Sequence, residues 1–157
     1  MKVSFALFAS FATLAVANPL PLKPDVKTLV GRADVVSVTC PAVNGNSQTT
    51  NSTRELEEAY STAVSLLLPP PDKAKGKYGK EYPAYYGNFQ NIALPRDCMT
   101  GDTYERNEFP ILRTKVLFGE GSTPGPDRIV LARKNDGTFT YCYTIYHKNN
   151  GDFAQCT

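Results

Sequence analysis

A single stretch of this chain carries a sustained helical repeat, and it lies between two sharp signals. Leu56, Ala59, Tyr60, Ala63, Val64 and Leu67 recur at steps of three and four residues, which lines one face of a helix with apolar groups. Ser52 followed three residues later by Glu55 is a capping box, in which each side chain serves a backbone N–H that the first turn leaves unbonded. Pro69-Pro70-Pro71 stops the repeat, because proline lacks an N–H and disfavours helical geometry in the residue before it. The spacing predicts an amphipathic helix from about Thr53 to Leu68. With no second helix to pack on, its apolar face must be buried against a sheet.

The rest of the chain reads as short strands and turns. Asp34 to Cys40 suits a short strand, and Asn44 to Asn51 a polar loop ending in the glycosylation sequon Asn51-Ser52-Thr53. Asp72 to Lys80 is rich in lysine and glycine and is expected to be a mobile loop. A loop from Pro95 to Asn107 precedes Glu108–Leu112, Thr114–Phe118, Arg128–Ala132, Thr138–His147 and Phe153–Cys156, each read as a strand. Asn135-Asp136-Gly137 and Asn149-Asn150-Gly151 are hairpin signals. The expected class is α+β, with one amphipathic helix packed on a twisted antiparallel sheet whose other face is free for a ligand.

Residues 1–17 read as a signal peptide: Met1-Lys2 supplies a charge, Val3 to Val16 is apolar or small, and Ala15-Val16-Ala17 has the form of a cleavage site. Residues 18–32, rich in proline and lysine, read as a propeptide or disordered arm, leaving 33–157 as one domain. No later stretch is long and apolar enough to span a bilayer, so the expectation is a secreted, extracellular monomer without membrane association. The segment before Ala33 holds four of the 17 basic residues and one of the 15 acidic ones, so the domain carries 13 against 14, a formal charge of about −1. That balance excludes a non-specific nucleic-acid binder that works by global basicity, and any bound anion must be held locally. Four cysteines in a secreted chain suggest two disulfides with three possible connectivities. Pairing Cys40 with Cys156 would close nearly the whole domain and leave Cys98 for Cys142. With one histidine and no Cys-x-x-Cys, no metal or other cofactor is expected.

Two features suggest chemistry. Tyr82-Pro83-Ala84-Tyr85-Tyr86-Gly87-Asn88-Phe89-Gln90 sets rings beside a turn with amide side chains, which is what a nucleobase site needs: rings stack on the base and polar groups read its edge. Glu108, Arg128 and His147 each sit at the end of an expected strand. Alternation places Glu108 and Arg128 opposite the apolar residues that would meet the helix, whereas for His147 it brings Tyr143 and Ile145 to the same open face unless a bulge intervenes. A carboxylate, a guanidinium and an imidazole on one face fit phosphoryl transfer without metal.

Taken in order, Tyr82-Pro83-x-x-Tyr86-x-Asn88-Phe89, Glu108-Phe109-Pro110-Ile111, the run from Gly121 to Val130, Thr144-x-x-His147, Gly151-Asp152-Phe153 and Cys156 resemble the small fungal guanyl-specific ribonucleases over roughly Cys40 to Thr157. The resemblance implies cleavage of single-stranded RNA through a 2′,3′-cyclic phosphate. It implies Glu108 as general base, Arg128 as phosphate stabiliser, His147 as general acid and Tyr82 as a phosphate contact. It further implies Tyr86 and Phe89 as rings around the base, with Asn88 and Gln90 in the loop that reads its edge, Asp152 and Phe153 at the substrate, a Cys40–Cys156 disulfide and a cis Tyr82-Pro83 bond. The chain departs from the pattern at Ala84, where the family has a histidine, and at Gln90, where it has a glutamate. Reduced rate and altered base preference follow from those changes, with a lysine from Lys77 to Lys80 as a substitute source of positive charge. A different outcome of the same changes is a catalytically silent effector that binds RNA or a host protein.

Overall fold

The computed structural model describes residues 35–157 except Thr100 and Asp102; the expected leader and arm lie outside the described residues. Helix α1 spans Thr53–Leu67, and both halves of the capping box form: Glu55 N donates to Ser52 Oγ and Ser52 N to Glu55 Oε2. The remainder is mostly strand, and its centre is one antiparallel sheet. Strands β5 (Ala84–Tyr85), β6 (Thr103–Ile111), β7 (Asp127–Lys134), β8 (Phe139–His147) and β9 (Phe153–Gln155) pair in sequence order. Two small ladders flank it, β1 (Val38–Cys40) with β2 (Thr49–Asn51) and β3 (Ala74–Lys75) with β4 (Glu81–Tyr82). The architecture is the expected α+β, and the disulfides are Cys40–Cys156 and Cys98–Cys142.

The sheet has two apolar faces rather than one. Phe109, Ile111, Ile129, Leu131 and Phe139 meet Leu56, Ala59, Tyr60, Ala63 and Val64 of the helix. On the opposite face Val130, Ala132, Tyr143 and Ile145 pack under Tyr86 and the Cys98–Cys142 bridge. A bulge in β8 makes both faces possible. Val130 pairs with Tyr143 but Leu131 pairs with Tyr141, so Cys142 is an extra residue, and Tyr143, Ile145 and His147 are turned away from the helix. The bulge lies before Tyr143 and not between Ile145 and His147, so Tyr143 and Ile145 share the face of His147 and form its apolar floor instead of meeting the helix.

Several local expectations are corrected. Asp72–Lys80 contains half of a hairpin: Ala74 and Lys75 pair with Tyr82 and Glu81, Gly121 N donates to Lys75 O at 2.8 Å, and Lys77 N donates to Ser122 O at 2.9 Å. Those partners come from a loop distant in sequence, so composition could not show them. Thr114–Phe118 is not a strand. Lys115 adopts φ 64°, which turns the chain, and its ammonium reaches Asn51 Oδ1 at 3.3 Å and Glu55 Oε2 at 3.1 Å. Strand β6 begins at Thr103, inside the expected loop, because its partner β7 continues to Lys134. Part of the polar loop before the helix pairs as β2, and the first strand is only Val38–Cys40. The Asn51 side chain of the sequon is not on the surface of the folded chain. Asn51 is fully buried, with Nδ2 on Cys40 Sγ at 3.6 Å and Oδ1 on Lys115.

Of the contacts that hold the N-terminal ladder to the rest of the fold, two dominate. The Cys40–Cys156 bridge closes a separation of 116 residues, which in the chain-entropy account stabilises by roughly 5 kcal/mol. The second is a buried ion pair. Arg113 grips Asp127 at the start of β7 through Nε–Oδ2 and Nη2–Oδ1, both 2.8 Å, and also donates to the carbonyls of Pro41, Asn46 and Ser47. Removing one member of such a pair strands a buried charge. Arg113→Met should therefore lose about 3–5 kcal/mol of unfolding free energy in a urea titration. A loss under about 1 kcal/mol would mean that the pair behaves as a surface contact.

Candidate active site

Three strands deliver the expected trio to the sheet face opposite the helix. Glu108 of β6 pairs across to Val130, Arg128 lies two residues earlier on β7, and His147 lies two residues beyond Ile145 on β8. The period of two along each strand puts all three on the face of Val130 and Ile145. Glu108 and Arg128 are each only 3% exposed, and His147 is half-buried.

Arg128 is held from behind. Its Nη1 is shared among the carbonyls of Pro124 (3.0 Å), Gly125 (2.8 Å) and Asp127 (2.7 Å), so the proline- and glycine-rich loop wraps the guanidinium it precedes. Its Nη2 donates to the Tyr82 hydroxyl at 3.2 Å. The Nε–H is buried without an acceptor, and among the described residues no carboxylate pairs with this guanidinium. A buried charge without a counter-ion is costly unless something else supplies the anion.

His147 is oriented by the turn that follows it. Gly151, at φ 85°, closes that turn and presents its carbonyl to His147 Nδ1 at 3.2 Å. A carbonyl only accepts, so Nδ1 carries the hydrogen and Nε2 is left for the transferable proton. Phe153, paired with His147 across β9, packs its ring 4.0 Å from the imidazole. His147 N also donates to Pro126 O at 3.0 Å, tying the imidazole to the loop that holds Arg128.

Glu108 receives a hydrogen bond from the lysine segment expected to supply positive charge: Lys80 Nζ lies 2.8 Å from Oε1. Ala84 is the residue directly across from Glu108 in the β5–β6 register. The sequence singles out the Lys77-to-Lys80 segment by its charge, but not which lysine reaches Glu108, because the cis Tyr82-Pro83 bond breaks the alternation between Lys80 and Ala84. Tyr82 itself is buried, its peptide bond to Pro83 is cis, and its ring has Lys80 Nζ at 5.0 Å and the Arg128 guanidinium at 5.3 Å from its centroid.

The expected base loop is only partly open. Phe89 is 84% exposed, but Tyr86 is 2% exposed, so the two do not form an open sandwich. Tyr86 donates to Asn88 Oδ1 at 3.1 Å, receives the Tyr143 hydroxyl at 3.4 Å and meets Phe153 edge-on. Burial pushes the Tyr86 hydroxyl well above the ordinary tyrosine range, with the Tyr143 hydroxyl adding to the shift. The Phe89 ring folds back over Gly87 so closely that a Cβ there would lie 2.6 Å from it. Asn88, at φ 51°, spends its side chain on the loop itself, accepting from Ile92 N at 3.0 Å and donating to Ile92 O at 2.9 Å. Gln90 is exposed beside it. Asp152 is engaged in its own turn, accepting from Asn150 Nδ2 at 2.7 Å.

Burial holds the His147 imidazole below the ordinary histidine value; the Gly151 carbonyl opposes this, Arg128 and Lys80 add to the lowering, and Glu108 opposes it. A histidine lowered on folding binds its proton less readily in the fold than in the unfolded chain. Stability is therefore lost as pH falls below the ordinary value of about 6.5 and is unaffected above it. A phosphate beside the ring should reverse the shift by favouring imidazolium. In an NMR titration the His147 midpoint should lie below about 6.5 in the free protein and rise on adding inorganic phosphate. No movement, or movement downward, would place the anion elsewhere.

With this geometry in hand, the similarity of the chain to known families takes on structural meaning. The sequence pattern of the ribonuclease family, described as ribonuclease, matches residues 36–157, the segment that contains every element above except the first residue described. No curated protein matches the chain. The match spans well over half of the sequence, and the chain belongs to the ribonuclease family, the microbial guanyl-specific group that includes the fungal type.

Proposed function

We propose that this protein is an endoribonuclease that cleaves single-stranded RNA by transesterification at the face carrying Glu108, Arg128 and His147. The carrying observation is the Arg128 guanidinium, buried with an unsatisfied Nε–H and no carboxylate partner among the described residues. A phosphate oxygen supplies both the missing acceptor and the missing charge. Glu108 takes the proton of a ribose 2′-hydroxyl, and the 2′-oxygen attacks the adjacent phosphorus. Arg128 stabilises the charge on the non-bridging oxygens, with Tyr82 beside it. His147 gives its Nε2 proton to the departing 5′-oxygen as the P–O5′ bond breaks, leaving a 2′,3′-cyclic phosphate. With Lys80 on Oε1, Glu108 keeps Oε2 for the incoming proton.

Base selection at this site is weaker than the family pattern implies. A carboxamide at Gln90 offers one acceptor and one donor where a carboxylate offers two charged acceptors. Phe89 can stack on any base from its exposed position. Two disulfides and the leader-like residues 1–17 support action outside the cell.

A second reading has its own support. Ala84 stands across from Glu108, and Tyr78, Tyr85 and Phe89 expose 76, 68 and 84% of their surface. A silent effector that binds RNA or a host protein through those rings would look the same at rest. Ala84→His separates the two: an enzyme short of one imidazole gains rate, whereas a binding protein gains none.

The direct test is digestion of single-stranded RNA by the secreted chain in EDTA. Products should carry 2′,3′-cyclic phosphate ends, and Glu108→Gln and His147→Ala should each lower kcat/KM by about 100-fold or more. Linear ends only, or full activity in Glu108→Gln, would defeat the assignment.

A further inference from the structure

Lys80 is not one of the residues that the family motifs single out, yet it makes the shortest contact with the proposed base. Its ammonium lies 2.8 Å from Glu108 Oε1, and the Glu108 side chain is 4% exposed against 55% for Lys80. The lysine reaches inward over the Tyr82 ring, 5.0 Å from its centroid. Its backbone is not free to wander. Gly76 N donates to Lys80 O at 2.9 Å, Gly79 turns the chain at φ 84°, and Lys77 N is fixed to Ser122 O at 2.9 Å. Gly76 approaches that neighbouring loop closely, since a Cβ there would sit 3.2 Å from Ser122 O. The β3–β4 hairpin thus delivers one cation to one carboxylate.

Position 84 presents only a methyl group beside the carboxylate that this cation meets. Ala84 pairs directly with Glu108 across β5 and β6, so a large side chain there would compete for the same carboxylate. We propose that Lys80 is the positioning residue of the base: it holds Glu108 in place and in the charged form that accepts a proton, from a hairpin rather than from position 84. This role rests on the ribonuclease reading above.

The physical need is plain. Burial works against a charged carboxylate, and a scissile phosphate nearby adds a like charge; a cation in contact offsets both. The groups that face Glu108 are Lys80 and Tyr82 from the hairpin, Tyr86 from the loop after β5, Arg128 from β7 and His147 from β8. Arg128 is already committed to carbonyls and to Tyr82, and the neutral tyrosines offer no charge. Lys80 is therefore the cation in contact with the carboxylate. Burial pulls the Lys80 ammonium down, but the hydrogen bond and charge of Glu108 outweigh it, so it stands above the ordinary lysine value and is cationic at any working pH.

The test compares the full chain with Lys80→Ala, Lys80→Arg and Lys80→Ala/Ala84→His. Glu108 is followed by carboxyl carbon NMR titration, and RNA cleavage by kcat/KM across pH. Lys80→Ala should raise the Glu108 titration midpoint relative to the wild-type chain, because the contacting positive charge is lost. Its kcat/KM should fall about tenfold in mildly acidic buffer and much less in alkaline buffer. Lys80→Arg should keep both properties near wild type, and Ala84→His should restore a good part of the loss. An unmoved Glu108 midpoint, an equal loss at every pH, or faster cleavage by Lys80→Ala would each overturn the role, the last by showing that the ion pair restrains the base. Absence of cleavage by the wild-type chain would count against the ribonuclease reading instead, while the carboxyl titration still decides what Lys80 does to Glu108.

Discussion

One extra residue in β8 governs what the sheet can do. A strand that alternates without interruption from Phe139 to His147 would send all its odd-numbered side chains to one face. The bulge at Cys142 divides them, giving Phe139 and Tyr141 to the helix and Tyr143, Ile145 and His147 to the other side. Without it, either the helix loses its aromatic floor or the imidazole is buried beneath the helix. The Cys98–Cys142 disulfide sits at this point and joins the bulge to the loop that covers the second face. Bulges re-aim side chains at little cost to the ladder, and here one separates the core from the chemistry.

The site built on that face works by local charge rather than by overall charge. The domain is close to neutral, so no long-range field gathers RNA from solution. Instead a buried guanidinium, a buried carboxylate with its lysine, and a partly desolvated imidazole lie within one apolar surround. Low polarity strengthens each interaction with a bound phosphate, and it also makes each charge costly when unmatched. Backbone carbonyls support Arg128, and the Gly151 carbonyl aims His147, so most of the orientation comes from main chain held by glycine and proline turns.

Much of this was legible in the sequence where a signal was local. The helix, its cap and its stop were visible because capping and periodicity act within a few residues, and Ser52, Glu55 and Pro69 fall as they predict. Glu108 and Arg128 could be placed on a common face by alternation alone. What could not be read depends on distant partners. The hairpin at Ala74–Lys75 is held by Gly121 and Ser122, and Thr114–Phe118 loses its strand to a left-handed turn at Lys115 whose ammonium is occupied elsewhere. Asn51 looked like an exposed sequon and is buried against a disulfide sulfur. Tyr86 looked like an open platform and is closed over by Tyr143 and Phe153. Aromatic residues satisfy a core and a ligand equally well, and composition does not distinguish the two.

The central claim is that the scissile phosphate of RNA sits among Glu108, Arg128 and His147. The most direct measurement is a crystal structure of the full domain with a dinucleotide made uncleavable by fluorine at the 2′-position. The account predicts phosphate oxygens within hydrogen-bond distance, about 2.7–3.2 Å, of Arg128 Nε and His147 Nε2, with the 2′-substituent beside Glu108 Oε2. A dinucleotide bound only at the exposed rings, with its phosphate away from Arg128, would contradict it.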